Sequence, residues 1–300
     1  MMRTLYDFVE KASGLDRRVA VAAAHDEAVL QAVAAAAEKR ICSALLFGDA
    51  ARIRSILRDI GASESGLTIV EPEDASDTGC ANAAVEAVSR GEANYLMKGI
   101  LSTADLMRVV VRSDLTTGGI LSHVMLFEVP GFDRLLFNTD GAMSPFPDFE
   151  RKRAILENAA RFLKLIGYRE IVAACVSGSE TVSEKVPSSL DAERLAGLDW
   201  SRYDMTVYGP VGVDLAISEE SCRHKGYFAP GCGRADILLM PNMEAGNCFG
   251  KALIYFAGAR PAGLVVGARC PIVLVSRADS VKAKLASLAL GAIATEGGMK

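Results

Sequence analysis

From residue 18 onward, short apolar runs alternate with longer helix-like ones, and no other feature of the chain limits its fold as much. "RVAVAAA" (18–24) reads as a buried strand and "DEAVLQAVAAAAEKR" (26–40) as an alanine-rich helix. "SALLFGD" (43–49) repeats the strand, and "AARIRSILRDIG" follows as a helix stopped by Gly61. "LTIVE" (67–71), a helix around 80–90, "NYLMKG" (94–99) and "TADLMRVVVRS" (103–113) keep the rhythm. Continuous apolar strands are buried on both faces, and helices of this length between them are crossovers. The expectation is an α/β fold with a parallel sheet.

The middle of the chain breaks the pattern. "GGILSHVMLFEV" (118–129) and "RLLFNTD" (134–140) are separated only by a turn containing Pro130 and Gly131, which predicts a hairpin and so a mixed sheet. His123 alternates with Leu121, Met125 and Phe127, so a packed core histidine is expected. In the helix "ERKRAILENAARFLKLIG" (150–167), Ile155, Ala159, Phe162 and Ile166 form one stripe opposite the charges. "IVAACVS" (171–177), "MTVYGP" (205–210) and "ADILLMP" (235–241) read as further strands, and the last stretch as two short strands and a closing helix. Three hundred residues suit two domains. The expected division is 1–117 with 264–300, and an inserted domain at 118–263, with polar strand ends converging in the cleft between them.

Composition narrows the function. Half the residues are hydrophobic and the formal charge is −4, which favours neither nucleic acid nor an anionic membrane as partner. The opening "MMRTLYDFVEKASGLDRRVA" lacks the apolar core of a signal peptide, and no apolar run reaches membrane-spanning length, so a cytoplasmic protein is expected. The seven cysteines are scattered without a CxxC pair, and His25, His123 and His224 do not complete a zinc set. Reduced, mostly buried thiols and no metal are expected. There is no GxxxxGK[ST] loop, GxSxG or HExxH, and "GCGRAD" (231–236) precedes its strand, whereas a dinucleotide loop follows one.

Four strand ends carry the chemistry instead. Lys98 and Gly99 leave a strand and Ser102 and Thr103 open a helix, whose free N–H groups suit a phosphate or carboxylate; a plain cap beside a solvated lysine fits the spacing equally well. Asn138, Thr139 and Asp140 end another strand before a proline-bounded loop, which turn chemistry largely explains. "PNMEAGNCFGKAL" (241–253) places Asn242 and Glu244 at a helix start, with Asn247 and Lys251 one turn apart on one face. That is more than capping requires. "VLVSRADS" (273–280) ends a buried strand on Ser276 and Arg277, where a guanidinium can bind an anion through its planar fork and Asp279 or Ser280 can cap the last helix.

Taken together, "LMKGILSTADLMRVVV", "LSHVMLFEVPGFDRLLFNTDGAM", "ILENAARFLKLIG", "KVPSSLDA", "YGPVGVDLAIS", "PNMEAGNCFGKAL" and "GARCPIVLVSRADS" resemble the phosphate acetyl/butyryltransferase family, and the butyryl branch most. The likeness covers nearly the whole chain in order. It implies a two-domain α/β fold with a mixed, mainly parallel sheet, of the isocitrate/isopropylmalate dehydrogenase-like type, with the active site in the interdomain cleft. It also implies a homodimer that exchanges coenzyme A and inorganic phosphate on an acyl group, with coenzyme A as substrate and no other cofactor.

Such chemistry needs phosphate held as a nucleophile beside a thioester carbonyl. The resemblance gives Ser276 a hydrogen bond to the CoA sulfur and Arg277 the phosphate. Lys98, Gly99, Ser102, Thr103, Asp140, Asn242, Glu244, Asn247 and Lys251 become candidates for substrate contacts. The reverse reaction favours a base for the thiol. The acetyl branch has an aspartate seven residues after the motif serine, where this chain has Ala283; Asp279 is the nearest carboxylate and becomes the candidate base. Two other readings stand beside this one: a catalytically silent CoA- or acyl-phosphate-binding protein, and a metal-dependent oxidoreductase of the related dehydrogenase fold.

Overall fold

The computed structural model describes residues 2–116 and 118–296. Two compact units divide the chain, one comprising Leu5–Gly119 with Ala262–Lys300, the other Met1–Thr4 with Ile120–Pro261.

The first unit opens with α1 (Leu5–Ala12), β1 (Arg17–Ala22), α2 (Glu27–Glu38), β2 (Cys42–Phe47), α3 (Ala50–Asp59), β3 (Leu67–Val70), α4 (Asp77–Ser89), β4 (Tyr95–Lys98) and α5 (Thr103–Arg112). Its strands are parallel, with β1 between β2 and β4 and with β3 outside β2. Val19–Ala22 and all of β4 are buried, as continuous apolar strands must be. Each crossover helix from α2 to α5 starts on a side-chain cap: Asp26, Asp49, Ser76 and Ser102 each accept the N–H three residues on.

The other unit holds β5 (Ser122–Glu128), β6 (Leu136–Thr139), α6 (Phe149–Ile166), β7 (Ile171–Val176), α7 (Pro187–Ala196), β8 (Met205–Val211), α8 (Val213–Ile217), α9 (Glu219–Lys225), β9 (Ile237–Leu239) and α10 (Met243–Ala257). Its strand order is β5-β6-β9-β7-β8. β5 and β6 form the expected antiparallel hairpin, and the other pairs are parallel. Ile155, Ala159, Phe162 and Ile166 of α6 are all buried, and His123 lies in the core. The Phe137 ring meets Tyr168 edge-on at 5.2 Å.

The chain returns through β10 (Arg260–Val266), β11 (Ile272–Val273) and α11 (Val281–Ala294). β11 runs parallel to β4 and antiparallel to β10, so the first unit's sheet is also mixed. Almost every residue of α11 from Ala283 onward is buried, which its all-round apolar sequence requires. Among the described residues no helix is long and apolar enough to cross a membrane.

Candidate active site

The short pairing of β11 with β4 matters most for the site. Ile272 lies opposite Leu96 and Val273 opposite Met97, so two segments leave adjacent parallel strands side by side. In open α/β sheets, ligands bind at such carboxyl ends.

β4 ends on Lys98, which is 4 % exposed. Its Nζ donates to the carbonyls of Gly99 (3.0 Å) and Leu101 (3.1 Å), so it ties its own turn and is not the solvated lysine of a plain cap. Gly99 N–H donates to Ala22 O at 2.8 Å, and Ile100 N–H to Ala23 O at 2.9 Å. A Cβ on Gly99 would lie 2.1 Å from Ala23 O, so the turn after β4 accepts only glycine there. Ser102 caps α5, accepting Asp105 N–H at 3.1 Å and donating to its carboxylate at 2.6 Å, while Thr103 stands half-buried beside it.

The segment after β11 folds into a tight turn. Asp279 N–H donates to Ser276 O (3.1 Å), and the Asp279 carboxylate accepts Ser276 N–H through Oδ2 (2.7 Å). Arg277 stands exposed at the corner. Ser280, and not Asp279, caps α11 by accepting Ala283 N–H at 3.2 Å. Ala283 itself is buried, so no carboxylate stands seven residues after Ser276.

Lys284 completes this turn. It is 1 % exposed, and its Nζ donates to Ser276 O (3.2 Å) and Asp279 O (2.6 Å). Burial holds Lys284 below the ordinary lysine range, with Asp279 and Asp26 opposing the shift. Lys98 is lowered by burial first and then by the charges of Arg277 and Lys284, again opposed by Asp26 and Asp279. One strand-end region thus gathers three cations and two carboxylates. Neither Lys284 nor Asp26 was a candidate from the sequence. The available signal was a lysine, Lys284, set among the small and apolar residues that follow the exposed Lys282 in α11.

In the other unit, Asn242 caps α10, accepting Ala245 N–H at 2.9 Å. Glu244 is exposed in the first turn, Lys251 is half-buried, and exposed Asn247 donates to Gly141 O at 3.3 Å. Asp140 is buried and accepts the N–H groups of Ala142 and Met143, both at 2.9 Å. α10 seats closely on this loop: a Cβ on Gly246 would lie 2.9 Å from Asp140 O. Asn138 fastens it by donating to Gly246 O at 2.9 Å. The candidate residues therefore form two groups. Lys98, Gly99, Ser102, Thr103, Ser276, Arg277 and Asp279 belong to the first unit, and Asp140, Asn242, Glu244, Asn247 and Lys251 to the other.

Of the seven thiols, five are buried, Cys232 is half-buried and Cys248 is exposed. Burial pushes Cys42, Cys175 and Cys270 up to about 12, which leaves them protonated and poorly nucleophilic at neutral pH.

Comparison with known proteins places these features in one family. The family model described as "Phosphate acetyl/butaryl transferase" matches residues 3–83 and 79–292. The chain belongs to this family. It is 38 % identical over 298 residues to the phosphate butyryltransferase of Clostridium acetobutylicum, covering 98 % of each chain. It is 36 % identical to the phosphate acetyltransferase of Thermotoga maritima, covering 96 % of this chain and 99 % of that one. Among solved structures, a branched-chain phosphotransacylase from Enterococcus faecalis superposes with a TM-score of 0.82 at 31 % identity, covering 93 % of this chain and 99 % of that one.

These matches correct one expectation. The two-domain α/β architecture stands, but the structures that it resembles are phosphotransacylases and not the isocitrate/isopropylmalate dehydrogenase-like type. The physical reason is that alternation of strands and helices reports layers and crossovers, which many two-domain α/β proteins share.

Proposed function

We propose that the chain is a phosphate acyltransferase that converts acyl-CoA and inorganic phosphate to acyl phosphate and CoA, with a short acyl group. Both named relatives carry such activities in their names, one butyryl and one acetyl. The observation that carries the reading is the Ser276–Arg277 turn, held on a buried lysine beside the Lys98 turn at adjacent parallel strand ends. An anionic nucleophile needs such a cationic, preorganised edge, because the protein's net charge of −4 offers it no general attraction.

A phosphate oxygen attacks the thioester carbonyl, forming the C–O bond; the C–S bond then breaks and sulfur leaves with the electron pair. Arg277 holds the phosphate through charge-assisted hydrogen bonds and leaves the attacking oxygen open. The Ser276 hydroxyl donates to the departing sulfur. Asp279 spends Oδ2 on Ser276 N–H, and Oδ1 takes the thiol proton in the reverse direction. Gly99, Ser102, Thr103 and Lys98 shape the neighbouring turn; within the other unit, Asp140, Asn242, Glu244, Asn247 and Lys251 are the candidates for a substrate contact. Positioning and charge stabilisation supply most of the rate in a ternary complex, with no covalent acyl-enzyme.

We further read the protein as a cytoplasmic homodimer. Of the 15 residues of α10 only Gly246 and Gly250 are buried, while Tyr255 is 67 % and Phe256 93 % exposed, an apolar face that a second copy would cover.

The test is thiol release from butyryl-CoA with and without phosphate, repeated with NAD and magnesium and after EDTA. Release that depends on phosphate alone supports acyl transfer. Activity lost on EDTA treatment and restored only by a divalent cation favours the metal-dependent oxidoreductase reading, and CoA binding without turnover favours a silent binding protein.

A further inference from the structure

Lys284 is hard to explain by stability. It lies in the first turn of α11, where the helix dipole already presents partial positive charge, and it is almost wholly withdrawn from water. Both effects disfavour an ammonium, and a buried polar group is retained only where partners offset its desolvation. Its partners are specific. Nζ bonds the first and last carbonyls of the Ser276–Asp279 turn, at 3.2 and 2.6 Å. The same turn closes on itself through Asp279 N–H to Ser276 O and Ser276 N–H to the Asp279 carboxylate. An apolar side chain in this place would leave Asp279 O without its ammonium donor and Ser276 O with the Asp279 N–H alone.

We propose that Lys284 is a positioning residue for acyl transfer, clamping the Ser276–Asp279 turn by its two end carbonyls so that Ser276 and Arg277 are presented to the substrates. The inference rests on the acyl-transfer reading above and adds to it a residue outside the turn. Lys284 touches no substrate; it acts through Ser276 and Arg277. Misplacing such groups by about 1 Å costs turnover on the order of 10²-fold.

The test compares Lys284→Met, Ser276→Ala and the double variant by steady-state kinetics with butyryl-CoA and phosphate, each checked for a cooperative melting transition. If the methionine variant does not fold, Lys284→Gln, which keeps a polar head, replaces it. Lys284→Met is expected to lower kcat by about 10²-fold and to raise the KM for phosphate, because Arg277 is displaced. The double variant should lose little more than Ser276→Ala alone, since both changes act on the same turn. A merely structural lysine would lower the active fraction and leave both KM values unchanged, and that result overturns the proposal, as do losses that multiply in the double variant. Amide hydrogen exchange supplies a readout independent of activity. If the wild-type protein releases no CoA with phosphate, the acyl-transfer reading fails by itself, while faster exchange confined to residues 274–280 in Lys284→Met still supports the clamp. Unchanged exchange there rejects it.

Discussion

Arg277 is exposed at the corner of a turn whose other members are tied down, so its side chain is available to an anion. Arg277→Ala should raise the KM for phosphate at least tenfold, about the 1.4 kcal/mol or more expected of a charge-assisted hydrogen bond, with a smaller effect on acyl-CoA. Lysine should rescue poorly if the contact is bidentate; initial rates over a phosphate series decide this. Asp279 has a different test. Its carboxylate accepts Ser276 N–H, and an asparagine oxygen can do the same, so Asp279→Asn should keep the turn and lose the base. Transfer from acyl phosphate to CoA should slow by roughly 10²–10⁴-fold and recover as pH rises toward the CoA thiol pKa of about 8.5. Near-normal turnover at neutral pH would assign the proton to a substrate phosphate oxygen. At this scale the sequence was informative about polar residues at strand ends and blind to Lys284. Lysine near the start of a helix usually projects to solvent, and only the packing of α11 on every side turns this one inward.

Among the elements, the strands and crossover helices were legible because period and caps agree: the apolar runs became strands, buried except for β3 at the edge, and Asp26, Asp49, Ser76 and Ser102 mark helix starts. The seat of α10 was not. Its two fully buried residues are glycines set against Asp140 and Phe127, while Phe249 and Leu253 pack on the core only partly buried. Glycine here serves close approach, which a hydrophobicity pattern does not encode. The same logic governs the turn after β4. Gly99→Ala puts a methyl group 2.1 Å from Ala23 O, so the strand end must shift. The expected cost is about 1–3 kcal/mol of stability, as for other overpacked sites, with a larger proportional loss of activity than of melting temperature. Denaturant unfolding and kinetics on the same preparation check it, and wild-type values in both would show that the turn yields freely.

For the molecule as a whole, the alternation of strands and helices conveyed a two-domain α/β protein. The type of fold needed comparison with whole structures, because layers alone do not separate phosphotransacylases from other two-domain α/β proteins. Self-association belongs to this scale. Phe256→Glu places a charge on the exposed face of α10 and should shift a dimer to monomer in sedimentation without lowering the melting temperature of the monomer, since Phe256 is 93 % exposed. An unchanged dimer would move the interface elsewhere.

The identity of the acyl acceptor is what separates this chain's proposed chemistry from hydrolysis or simple binding. Purified protein given butyryl-CoA and phosphate, with free thiol and acyl phosphate followed separately (the latter by its own phosphorus NMR signal), measures that acceptor directly. Acyl transfer to phosphate predicts one acyl phosphate for each CoA released, and no release when phosphate is omitted. Release of CoA with free butyrate and no acyl phosphate, or no release under any phosphate concentration, would contradict it.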